Sequence, residues 1–147
     1  MIERRPGPDE TPPPTSLTPE AIFVEWLGGL TGGVVLAMLT LYITLGTGPE
    51  RNIDRATVGF AAALAQVAYA LGVPGGIAFV GRSFTPAGSL GLAMVGSALG
   101  GGLAWFVGSQ SGLLPNFRGY AITFGLVTLV VALVGYNLPR LRQFRQR

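Results

Sequence analysis

Residues 87–108 form an uncharged apolar run long enough to cross a bilayer, yet they include Gly88, Gly91, Gly96, Gly100, Gly101, Gly102 and Gly108. In water so much glycine opposes a helix, because glycine loses the most backbone entropy on ordering. Lipid reverses the argument. With no water to satisfy its amides the backbone must be helical, and glycines four apart cut a groove into which a second helix fits closely. The run is therefore read as a packing helix of a small membrane bundle.

Composition extends that reading to the whole chain. Of its 147 residues 49% are hydrophobic and 12% charged, where soluble domains carry about a quarter charged. Cysteine and histidine are both absent. That removes disulfides, zinc or haem ligation by thiolate or imidazole, thiol nucleophiles and Ser-His triads, so no cofactor and no metal site is expected. All ten basic residues are arginine. A net charge of +3 and a pI near 10.0 suit a membrane surface better than nucleic acid.

In chain order, residues 1–18 carry Pro6, Pro8, Pro12, Pro13 and Pro14 among small polar and acidic residues and read as a disordered Pro-rich tail. Thr18-Pro19-Glu20 starts a helix with an N-cap, a first-turn proline and an acid at the positive end of the helix dipole. Four spans follow, at about 20–46, 56–80, 87–107 and 120–138, each near the ~20 residues that cross a bilayer. Gly46 to Pro49 stops the first, Pro74-Gly75-Gly76 kinks or ends the second, Thr85-Pro86 opens the third, and Pro139 closes the fourth with Asn137 as its C-cap. Residues 19–139 thus form one transmembrane domain, and 140–147 an Arg-rich tail.

Four spans place both termini on one side. That side carries Arg4, Arg5, Arg82, Arg140, Arg142, Arg145 and Arg147, against Arg51, Arg55 and Arg118 opposite, so both termini are expected in the cytoplasm of a bacterial inner membrane or its equivalent. Small residues recur at alternating spacings of three and four: Gly29, Gly33 and Ala37; Ala61, Ala65, Ala68 and Gly72; Gly96, Gly100 and Ala104; Gly125, Thr128, Ala132 and Gly135. A mean period near 3.5 keeps one face inward and predicts a left-handed glycine/alanine-rich bundle. Gly33, Ala65, Gly96, Gly100, Ala104 and Gly125 are the expected packing positions. The second span is small-surfaced nearly all round, since Gly59, Ala63 and Ala70 lie on its far side. It sits centrally or meets a partner.

Few residues inside the spans can do chemistry. Gln66 falls near the middle of the second span, where an interhelical hydrogen bond or a ligand contact are its two readings. Glu25 lies about one turn inside the first span at the level of Arg82 and Arg140, and reads as an Arg-paired carboxylate or a proton or cation site. Gln66, Glu25 and Arg82 are the candidate polar site. No nucleophile and base converge, so catalysis is not expected. The expected function is a non-catalytic accessory, assembly or structural subunit of a larger membrane complex, with a homo-oligomeric channel or small-solute carrier as the alternative. Expected partners are the bilayer, other membrane subunits or further copies of the chain, and anionic lipid at the Arg-rich end.

Overall fold

The computed structural model describes residues 18–46, 54–84, 88–111 and 117–145. They form four helices: α1 Pro19–Leu45, α2 Arg55–Phe84, α3 Leu90–Gln110 and α4 Phe117–Arg145. Each is long and apolar enough to cross a membrane, and no strand occurs among the described residues. The chain is thus an all-helical protein with the character of an integral membrane protein. The Pro-rich segment 1–17 and Thr85-Pro86 lie outside the described residues.

Local chemistry fixes the helix ends. The Thr18 hydroxyl accepts from the Ala21 N–H at 3.2 Å, with Pro19 next as expected. Ser89 does the same for α3, accepting from Leu92 at 3.3 Å, so α3 starts at Leu90 rather than near residue 87. α1 stops at Gly46, whose φ of 67° is a left-handed conformation that favours glycine. Asp54 caps α2, its Oδ1 accepting from the Thr57 N–H at 2.7 Å. The hydrogen bond holds this carboxyl below its usual range.

Pro139, expected to close its helix, and Pro74, expected to kink or end its own, both lie inside helices. α2 runs through Pro74 to Phe84, and α4 runs through Pro139 to Arg145. Pro74 has no N–H for the carbonyl of Ala70, four residues back. The Ser97 hydroxyl of α3 donates to that carbonyl at 2.5 Å instead. Beside Pro139, the Tyr136 carbonyl accepts from the Ser89 N–H at 3.1 Å. At Pro74 a neighbouring helix thus meets the carbonyl that proline frees, and the helix continues. Asn137 is therefore no cap: it sits inside α4 and is buried.

The helices form two tight hairpins, α1 with α2 and α3 with α4. The hairpins meet more loosely, chiefly where α2 faces α3 and α4; α1 and α3 do not touch. Backbone approach sets the tightness. A Cβ on Gly72 or Gly76 would run into the carbonyl of Gly32 or Gly28 respectively, which leaves only glycine at these crossings. In the other hairpin a Cβ on Gly96 would lie 2.5 Å from the Val131 carbonyl oxygen, and one on Gly135 would collide with that of Leu92. Such contacts replace the hydrophobic drive that lipid cannot supply.

Larger side chains fill the space between hairpins. Tyr69, Val73, Ile77, Phe124, Leu129 and Tyr136 form the core, and Gly29 and Gly33 of α1 receive the side chains of Ile77, Tyr69 and Val73. Ala65 and Ala104 are buried, whereas Gly125 is only half-buried and makes room for the Tyr69 hydroxyl. Leu39, Ile43, Phe60, Val67 and Leu71 point outward.

Candidate functional site

Two places in the bundle gather polar atoms. The first lies where the start of α1 meets the end of α4. Glu25 is 0% exposed, Arg140 4% and Asn137 5%. Arg140 donates to Glu25 Oε1 at 2.8 Å, and Asn137 Nδ2 donates to Oε2 at 2.8 Å. Arg140 also donates to Asn137 Oδ1, and its guanidinium lies 5.4 Å from the centre of the Tyr136 ring. The three residues are joined pairwise.

The helix period explains the grouping. Asn137 and Arg140 are three apart on α4 and share a face, while Glu25 repeats with Ala21, Gly29 and Gly33 on the buried face of α1. An isolated carboxylate here would be costly; pairing it with a guanidinium and an amide offsets its desolvation. Both carboxylate oxygens already accept hydrogen bonds within the protein. The cluster is built as a clamp between hairpins that otherwise touch sparingly.

Arg82, expected beside Glu25, is exposed on α2 and makes none of these bonds. Asn137 and Tyr136 escaped the sequence reading because Pro139 disguised them as a helix end. Their spacings to Arg140, four residues for Tyr136 and three for Asn137, were the available signal.

The second place surrounds Gln66. The Tyr120 hydroxyl donates to its Oε1 at 3.4 Å. The other end of the amide has no hydrogen bond among the described residues. Gln66 is the twelfth residue of α2, but Tyr120 is only the fourth of α4. α2 overhangs α4, so the amide lies level with the first turn of α4. Tyr120 and Arg140 are 20 residues apart, about 30 Å along the helix, which is the thickness of the hydrocarbon layer.

From Gln66 a groove of about 460 Å³ runs between α2 and α3, its walls including Ala63, Ala70, Ser97, Ala98 and Gly101, with Phe124 at its base. A smaller hollow of about 170 Å³ lies on the opposite side of Gln66, against Ala37, Ala65 and Tyr69. Glu25 and Arg82 line neither. Structure thus separates Gln66 from Glu25, which lines neither hollow.

The remaining hydroxyls act locally. Thr40 donates to Leu36 O at 2.8 Å and Thr123 to Gly119 O at 2.9 Å, the helix back-bonding usual for threonine. Tyr69 crosses helices, donating to the Gly125 carbonyl at 3.2 Å. Thr128 differs: its hydroxyl is buried without a hydrogen bond, close behind Gly101. No family model matches the chain, and neither a curated protein nor a solved structure shows significant similarity to it.

Proposed function

We propose that this protein is a non-catalytic accessory or assembly subunit of a larger membrane complex. In this reading it is a left-handed bundle in a bacterial inner membrane or its equivalent, with both termini in the cytoplasm. The observation that carries it is the contrast between a closed buried ion pair and open small-residue faces. Glu25 and Arg140, the charged residues buried among the spans, are committed to each other. Meanwhile Gly59, Gly75 and Gly102 have nothing within 4 Å of where a Cβ would stand, and Ala63 and Ala98 beside them are exposed. A transporter needs polar groups free to meet a solute or ion along its path. A subunit needs surfaces to which another helix can come close, and small residues supply them.

The arginine asymmetry of the loops supports the orientation, and the recurrence of small residues near 3.5 supports the handedness. Extraction of the native membrane into nanodiscs, followed by native-gel separation and mass spectrometry, tests the proposal. Unrelated membrane subunits are expected at fixed stoichiometry with this chain. A lone homo-oligomer that conducts ions or solute in liposomes would overturn it.

A further inference from the structure

We infer that the two hairpins are hinged: they part between Gln66 and Tyr120, at the start of α4, and stay joined from the level of Ser97 to Arg140 at its end. The inference does not depend on the accessory role. It rests on how the contacts between hairpins change along α4. At its end, Arg140 and Asn137 hold Glu25 of α1 by two bonds of 2.8 Å. Next, the Tyr136 ring is seated against Gly81 of α2. Ser97, whose neighbour Gly96 meets Val131 of α4, holds the Ala70 carbonyl of α2 at 2.5 Å. Leu129 then packs on Gly29 of α1.

Beyond Leu129 the grip weakens. Tyr69 reaches the Gly125 carbonyl at 3.2 Å and Tyr120 reaches Gln66 at 3.4 Å, against the about 2.7–2.8 Å usual between two oxygens. Both bonds are neutral, and charge-assisted bonds such as those of Glu25 are about twice as strong. Packing loosens in the same direction. The groove of about 460 Å³ and the hollow of about 170 Å³ both have walls from both hairpins, and the residues common to the two are Gln66 and Phe124. The partition between them is thus one side chain from each hairpin.

Each hairpin is tied to itself by backbone contacts at its glycines, so it moves as a body. From the level of Val131 to Tyr120 is eleven residues, about 16 Å of helix. A rotation of about 15° over that length carries Tyr120 about 4 Å from Gln66. That breaks both neutral bonds and joins the two hollows into one cleft between the hairpins. Val67 and Leu71 at its rim are exposed, so the cleft opens sideways: the device is a lateral gate in the bundle.

The chain has no cysteine, so spin labels can be placed in pairs by substitution. One pair, Leu64→Cys with Ile122→Cys, reports on the gate; the other, Ile22→Cys with Leu141→Cys, reports on the joined end. All four positions are exposed. Distances are read by double electron–electron resonance on the full chain in phosphatidylcholine nanodiscs. The gate pair is expected to show a second distance about 4 Å longer than the first, and the joined pair a single narrow one. Tyr120→Phe keeps the ring beside Phe124 and removes one bond. It is expected to raise the ratio of open to closed about fivefold, as one net hydrogen bond gives, and to leave the joined pair unchanged. Gln66→Leu serves as the second variant, with the same expectation, if Tyr120→Phe fails to fold. A single narrow distance for the gate pair in the wild type would overturn the inference. So would equal broadening of both pairs, which means loosening without a hinge, or an unchanged ratio in a folded variant.

Discussion

Removing one partner of the Glu25–Arg140 pair should cost far more than removing both. The two groups meet at 2.8 Å and are almost completely withdrawn from solvent, so Arg140→Leu leaves a buried carboxylate without its guanidinium, though Asn137 still donates to it. Stranding a buried charge costs about 3–5 kcal/mol, or two to three powers of ten in the folding equilibrium at about 1.4 kcal/mol per decade. Glu25→Leu strands the guanidinium with the Asn137 carbonyl and the face of Tyr136, and should cost a similar amount. The double substitution strands neither charge and replaces the pair with apolar side chains. It should fall well short of the sum of the singles, with a coupling of at least about 2 kcal/mol. Equilibrium unfolding of the purified protein in mixed micelles, read by the near-ultraviolet signal of the aromatic residues around the cluster, measures all three. Additive losses would refute the clamp, because they would mean that the two charges do not depend on each other.

Two further outcomes follow from the backbone and its caps. Gly76→Ala places a Cβ against the Gly28 carbonyl and should separate α1 from α2, lowering the melting temperature and the yield of folded protein; Gly75→Ala, one residue away with open space around it, should leave both unchanged, and equal effects would contradict the crossing described. Asp54, outside the spans, is held below its ordinary value of 3.8 by its bonds to Thr57. A carboxyl with a lowered folded value contributes its cap above the unfolded value and loses it as pH falls through the folded one. The Thr57 amide should therefore titrate by NMR with a midpoint below 3.8, and a midpoint at or above that value would remove the cap.

Much of the architecture was legible in residue order because its causes are local. Four apolar runs of bilayer length, the Thr18-Pro19-Glu20 start and the Gly46 stop act within one or two turns, and helices with these starts and stops are found. The recurrence of small residues likewise lay along one face, and Ala65, Gly96, Gly100 and Ala104 on it are buried, since a helix turns residues three and four apart to the same side.

Partnership between helices was not legible, because it depends on registers that no single segment encodes. Glu25 could be read as an acid in want of an arginine, but Arg82 and Arg140 stood at the same expected depth. Only the packing of α4 against α1 decided for Arg140 and drew in Asn137. Pro139 looked like a helix end and Pro74 like a kink or an end, and the donor that meets the carbonyl Pro74 frees, the Ser97 hydroxyl, comes from another helix. Gln66 could be counted along α2, but only the packing of α4 against α2 set it beside Tyr120. Sequence by itself determined the number of helices, their nature and the faces they turn, through forces confined to a few turns of chain. Tertiary structure alone decided which charges meet, which carbonyls are satisfied and where a groove stays open, because those outcomes require atoms up to 115 residues apart to be brought within hydrogen-bonding distance.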